Sequence, residues 1–248
     1  MDQQAPSGSD ASCGDHLGVI EISELAGGLA HEIRNPLSTL LLNLKLIDED
    51  LSEGLDRSSD GVRRARQRVG FARQEAERLQ RMLDEFLLIV GPVGLTMRRV
   101  DLNDVIHRLV QFYGPEAELH GVRIRADCAA DAVWCRIDPN IFHQAVLNLM
   151  INAQQAMPDG GELLLQTVVR GGYAVLTVGD DGEGMSDAVR SRAFRAFYST
   201  KPNGSGLGLS TTSRIVAAHQ GRIELDTSVG RGTCFRIVLP LADASASG

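Results

Sequence analysis

Residues 25–37 read LAGGLAHEIRNPL, and the fold turns on whether this string is helical. Ile22, Ala26, Leu29, Ile33, Leu40, Leu44, Ile47 and Leu51 recur at steps of three, four and seven, which marks one face of an α-helix. His31 lies two residues from both Leu29 and Ile33, so at about 100° per residue it points away from that stripe toward water. A lone histidine on a helix surface ordinarily carries no chemistry. This one has Glu32 beside it, Asn35 one turn later and Pro36 after that. A neutral imidazole nitrogen is a nucleophile, and an adjacent carboxylate orients the ring and stabilises the positive charge that develops.

Working outward, the helix is expected to run from about Glu21 to Leu51, with Pro36 a local distortion. A polar connection containing Gly54, Ser58, Ser59 and Gly61 follows. Val62, Ala65, Val69, Ala72, Ala76, Leu79, Leu83, Phe86 and Val90 then alternate steps of three and four, a heptad seam. Two seamed helices joined by a short loop make an antiparallel hairpin, and its exposed stripes are best covered by a second copy. The expected form is a homodimeric four-helix bundle; the alternative is one hairpin folded onto the downstream domain as a monomer. Seven arginines, Arg63, Arg64, Arg66, Arg68, Arg73, Arg78 and Arg81, face only Glu75 and Glu77 between Val62 and Arg81. Asp48, Glu49, Asp50 and Glu53 lie across the turn, so pairing within the hairpin is favoured over a docking surface for an acidic partner.

Composition narrows the function. Lys plus Arg number 25 against 32 Asp plus Glu, a net charge of −7 that argues against a generic nucleic-acid binder. No apolar stretch reaches the ~18 residues of a membrane span, and no charged-then-apolar signal opens the chain, so a cytoplasmic protein is expected. Cys13, Cys128, Cys135 and Cys234 are scattered without C-x-x-C spacing, which indicates neither zinc nor a disulfide framework. The first residues, MDQQAPSGSDASCGDH, are too polar to offset ordering, so 1–20 is expected to be flexible, as is the tail 241–248. That leaves no room for a sensory domain: a separate sensory protein, or a domain missing from this chain, is expected to supply the stimulus.

Gly91, Pro92 and Gly94 end the seam and divide a hairpin domain, 21–91, from a second domain, 92–240. In the latter, Asp101 caps a helix to Leu119, Val122–Asp127 and Ala132–Ile137 read as strands, and Asp138 with Pro139 opens a helix to Met157. Strands Glu162–Arg170 and Tyr173–Asp180 meet at the Gly171-Gly172 turn. A helix over Leu207–His219 precedes strands Arg222–Asp226 and Thr233–Leu239. The order suggests a mostly antiparallel sheet under helices, a two-layer α/β sandwich, and an α+β chain as a whole.

Three strings in this second domain invite a nucleotide. Gln144, Asn148 and Asn152 are spaced by four and share a helix face; asparagine is a mediocre helix former, and its amide oxygen suits Mg²⁺, though ordinary surface polarity is an equal reading. In AVLTVGD, Asp180 follows Leu176 and Val178 on one strand face into a buried pocket, where a carboxylate can accept from an adenine amino group. Gly182 and Gly184 would let the backbone approach the ring, unless DDGEG is only a turn. GSGLGL, 204–209, runs straight into a helix whose N–H groups and dipole suit phosphate, with Lys201 just before it as a point charge. It is not a P-loop, since no G-x-x-x-x-G-K-[ST] occurs.

These strings together resemble the catalytic core of sensor histidine kinases. AHEIRNPL (30–37) resembles the phosphoacceptor box, NLMINA (148–153) the N box, DDGEG (180–184) the G1 box, AFRAFYSTK (193–201) the F box and GSGLGL the G2 box, in the family's order. The resemblance implies a histidine-kinase ATPase sandwich behind a dimeric phosphoacceptor hairpin, with ATP and Mg²⁺ as cofactors. It implies that His31 takes the γ-phosphoryl group, Glu32 accepts its proton, and Asn35 helps place a water for dephosphorylating a response regulator. Asn152 then binds Mg²⁺, Asp180 holds adenine, and Asn148, Gly182, Gly184, Lys201, Gly204, Gly206, Leu207 and Gly208 complete the nucleotide site. Only Pro202 and Asn203 separate the F and G2 boxes, a short lid. The expected partners are a second copy through the hairpin and the receiver domain of a response regulator. The rival readings are a phosphotransfer scaffold that has lost nucleotide binding, and an ATPase of the same superfamily that uses water as acceptor.

Overall fold

The computed structural model describes residues 29, 33–47, 49, 59–91, 94–201 and 204–242, without the side chains of 59–62 and 65. It divides into two compact units, Met1–Phe86 and Leu87–Gly248.

The first unit is helical. Residues 33–47 form α1, and α2 spans Ser59–Val90, 32 residues without interruption. On α1 the expected stripe is half-buried at Leu29, Ile33, Leu40 and Ile47, and Pro36 is buried with it. A second stripe, Leu37, Leu41 and Leu44, stays open, with Leu41 57% exposed. The expected α2 seam divides in the same way. Ala72, Leu79 and Phe86 are half-buried, whereas Val69, Ala76 and Leu83 are exposed. The fully buried apolar side chain here is Met82, which is off that seam. Among the described residues, ion pairs run along single helices at Lys45–Glu49, Arg73–Glu77 and Arg78–Glu75. A link that does cross the hairpin runs from Arg68 Nη1 to the Leu46 carbonyl at 2.6 Å. Asp48, Asp50 and Glu53 lie outside the described residues.

The second unit is built on a five-stranded sheet. β1 (Arg98–Asp101) pairs antiparallel with β3 (Trp134–Ile137) as a separate ribbon. The main sheet has the order β2-β4-β5-β7-β6, with β2 Val122–Asp127, β4 Gly161–Arg170, β5 Tyr173–Asp180, β6 Arg222–Thr227 and β7 Thr233–Pro240. Only β2 and β4 run parallel, because α4 (Pro139–Gln155) lies between them in sequence and brings the chain back to the same edge. The expected hairpin turn at Gly171-Gly172 is present, both residues at positive φ. α3 (Leu102–Leu119), α4 and α6 (Gly208–Ala218) carry the apolar faces that cover the sheet.

Strand alternation explains the core. Ala174, Leu176 and Val178 of β5 and Phe235, Ile237 and Leu239 of β7 all point to the helices and are buried. Leu102, Ile106, Leu109, Phe142 and Leu149 meet them from above. Both expected caps are made: Asp101 accepts from the Asn103 N–H, and Asp138 accepts from Asn140 and Ile141. β1 and the short α5 (Asp187–Arg190) were not expected from sequence, and β3 starts at Trp134 rather than Ala132. β1 is four residues, RRVD, and has no apolar pattern of its own; its register against β3 makes it a strand.

Candidate functional site

The site is assembled at one end of the second unit, where β5 stops. Alternation along β5 buries Leu176 and Val178 and delivers Asp180 to the strand's end, half-buried. Its Oδ1 accepts from the Gly182 N–H at 3.0 Å and from the Thr233 N–H of β7 at 3.1 Å. Both bonds fall on one oxygen, so among the described residues no donor engages Oδ2. Burial pushes the Asp180 carboxyl above the usual range and the nearby Asp181 adds to this, while the two N–H bonds and Lys201 pull it down.

Two glycines are required by their surroundings. A Cβ at Gly182 would stand 2.5 Å from the Ala156 carbonyl, so the turn after β5 lies directly against the end of α4. Gly206 has φ +67, and a Cβ there would meet the backbone of Phe197 and Tyr198 at 2.5 and 2.6 Å. The glycine loop and the segment before it are thus in backbone contact. Phe197 itself is at φ 61, a conformation L side chains rarely adopt. Gly184 and Gly204 occupy the flanks of these two loops.

α6 starts at Gly208 with no side-chain cap, Leu207 standing at the N-cap position. An 11-residue helix opening this way leaves its first N–H groups for a ligand, and its dipole favours an anion there. Asn148 on α4 comes near, its Nδ2 3.5 Å from the Gly208 carbonyl. The Leu207 side chain is wholly buried, which anchors the start of α6.

Lys201 joins the two halves. Its Nζ donates to Gln155 Oε1 at 2.6 Å and stands 3.4 Å from Asn152 Oδ1. Burial lowers its affinity for the proton, and the carboxylates of Glu183 and Asp180 oppose that. The structure therefore brings together Asn148, Asn152, Asp180, Gly182, Lys201, Gly206 and Gly208. Asn35 sits on α1, exposed, its carbonyl accepting from Thr39 Oγ1. His31 and Glu32 lie outside the described residues.

Gln155 and Thr233 were not anticipated. Gln155 had a signal, since it is three residues beyond Asn152 on the same helix face. Thr233 had none, because strand pairing alone sets its N–H opposite Asp180. The residues fit a nucleotide with its metal: an acceptor carboxylate in a half-buried turn, a backbone cradle without room for Cβ atoms, an uncapped helix start, and an amide oxygen beside a cation.

Comparison with known proteins gives two family matches. Residues 21–90 match the His Kinase A (phospho-acceptor) domain, and 137–243 match the histidine kinase-, DNA gyrase B- and HSP90-like ATPase. Sporulation kinase C of Bacillus subtilis is 31% identical over 224 residues, 90% of this chain and 50% of that protein. Sensor histidine kinase ZraS of Klebsiella oxytoca is 34% identical over 228 residues, 90% of this chain and 47% of its own length. The chain thus spans about half the length of these relatives. Among solved structures, histidine kinase ThkA in complex with response regulator protein TrrA has a similar fold. Its TM-score is 0.71 at 19% identity, over 90% of this chain and 63% of that one.

Proposed function

Because the chain belongs to the histidine kinases, with a phospho-acceptor domain ahead of an ATPase domain, we propose that it phosphorylates its own His31 from ATP and passes the phosphoryl group to a response-regulator aspartate. The observation that carries the nucleotide half is Asp180. Its Oδ1 is fixed by two backbone N–H groups and its Oδ2 is left to accept from the adenine amino group. The open N–H groups at the start of α6, with Gly204, Gly206 and Gly208, take the phosphates, and Lys201 adds a positive charge there. Gly182 and Gly184 let the turn after β5 lie close to the base.

Asn152, with Asn148 behind it, would hold Mg²⁺ through its amide oxygen, as a hard cation prefers. When bound, that ion neutralises charge on the phosphates. At the other end of the reaction, Glu32 orients the His31 ring and takes its proton as the imidazole attacks phosphorus. Asn35, one turn on, places a water for dephosphorylating the regulator. Positioning supplies most of the acceleration in such a transfer.

The hairpin works as a homodimer in this reading. The open stripes Leu37–Leu41–Leu44 and Val69–Ala76–Leu83 are the surface a second copy would cover. A receiver domain is the acceptor, supported by the solved pairing of ThkA with its regulator. We place the protein in the cytoplasm, in keeping with ATP as donor and with Cys128, Cys135 and Cys234 as free thiols. Among the described residues no helix is long and apolar enough to cross a membrane.

Incubation with γ-labelled ATP tests the proposal. The expected product is acid-labile, base-stable label on His31. His31→Ala should abolish it while leaving fluorescent-nucleotide binding unchanged. ATP turnover without label would favour the ATPase that uses water, and label on another residue would remove His31 as the acceptor.

A further inference from the structure

Gln155 ends α4 one turn beyond Asn152, and its amide oxygen receives the shortest bond that Lys201 makes. At 2.6 Å the ammonium is tightly held by Gln155 Oε1, whereas 3.4 Å to Asn152 Oδ1 is a loose contact. The other end of Lys201 is also fixed. Its N–H donates to Ser199 Oγ at 3.0 Å, and its carbonyl accepts from Ser199 Oγ and from the Gly204 N–H. The side chain is therefore a strut between α4 and the segment leading into the glycine loop.

Within the nucleotide reading above, on which this rests, we propose that Gln155 is a positioning residue that retains the Lys201 ammonium against α4. Mg²⁺ arriving at Asn152 with nucleotide then dislodges that ammonium toward the phosphates. An ammonium and a dication directed at one amide oxygen lie close enough to repel strongly at protein dielectric. The ammonium is the partner that can leave, because four methylene groups let it swing while its backbone stays bonded to Ser199 and Gly204. Gln155 makes that departure conditional: it keeps Lys201 in place until the metal competes. Lys201 is thereby a reporter of metal entry as well as a phosphate ligand.

Two readouts test this on the full chain. The first is the rate at which an amine-reactive acylating reagent labels Lys201 without nucleotide, followed by peptide mass spectrometry. The second is the Mg²⁺ concentration that half-saturates binding of a fluorescent ATP analogue. Gln155 is exposed at a helix end, so Gln155→Met leaves the core untouched. Gln155→Met should speed Lys201 labelling and lower the Mg²⁺ half-point, each by at least about threefold, a part of what a charge-assisted hydrogen bond is worth. In a Lys201→Met background the same change should leave the Mg²⁺ half-point alone, because the two residues act as a pair. Unchanged labelling overturns the retention. Faster labelling with an unmoved or higher Mg²⁺ half-point overturns the metal-driven release. Wild-type protein that binds no nucleotide would sink the kinase reading instead, and the labelling comparison would still judge Gln155.

Discussion

The hairpin and the sandwich dispose of their apolar residues in opposite ways. In the sandwich, strand alternation and three helices enclose Leu102, Phe142, Leu149, Leu176 and Ile237 completely within one chain. In the hairpin, Met82 is the apolar side chain buried to that degree among the described residues, while Leu41, Leu42 and Val69 are each more than half exposed. Each sandwich element has one apolar face and a cover for it. Among the described residues, each hairpin helix has one half-buried and one open apolar stripe. The second unit thus encloses its apolar faces within one chain, whereas the first leaves open the surface that the proposed homodimer would cover, which would make its stability depend on concentration.

The largest expected effect tests the completeness of the sandwich. Leu149→Ala removes a wholly buried side chain between α4 and the sheet and should cost about 3 kcal/mol. The loss should show as a lower melting temperature of the second unit at any protein concentration. Leu44→Ala, at a half-open position, should by contrast lower stability only where the hairpin is paired. Equal losses at high dilution would break the comparison.

Next in size is the hairpin surface itself. Leu41→Glu with Leu44→Glu places charge on the open stripe and should weaken self-association at least about tenfold, roughly 1.4 kcal/mol. Sedimentation velocity would read the change, and nucleotide affinity should not move. A wild-type monomer at micromolar concentration would remove the basis for the contrast.

The smallest effect is electrostatic and confined to the sandwich. Asp138 is buried, which on its own raises its pKa, but the N–H groups of Thr96, Ile141 and Asn140 bring the carboxyl below its ordinary value. A lowered folded-state pKa gives stability that is present above the unfolded carboxyl pKa and lost as pH falls through the folded one. The second unit should therefore lose stability below about pH 4, the reference carboxyl value. Asp138→Asn should cost about 1 kcal/mol at neutral pH and flatten that acid slope. Asp180, raised rather than lowered, works in the opposite sense, so the difference between wild type and variant is the quantity to measure. An unchanged slope would remove Asp138 from the account.

Much of this was legible in the residues. Period-two alternation along AVLTVGD placed Asp180 at the end of a buried strand, and Asp-Pro at 138–139 marked the start of α4. The four-residue spacing of Asn148 and Asn152 put both on one face, and the structure sets them beside Gly208 and Lys201. What sequence did not reveal depends on pairing between distant segments. β1 is a strand because of β3, Thr233 is near Asp180 because β5 and β7 are in register, and Leu207 is a core residue because α6 turns it inward. The second stripe on α1 escaped for a different reason. Leu37, Leu41 and Leu44 overlap the first stripe at Leu44, so one periodicity masked the other.

His219 closes off one chemical ambiguity. Its ring is 1% exposed, with Nδ1 against the Ile215 carbonyl at 2.7 Å and Nε2 accepting from the Asp138 N–H at 3.0 Å. Both nitrogens are spoken for, so this imidazole has no lone pair to offer an electrophile while the sandwich is folded. Among the six histidines it is a silent internal standard. Any phosphoryl or acyl group recovered on it would report unfolded material, which gives chemical mapping of the chain its own test of sample integrity.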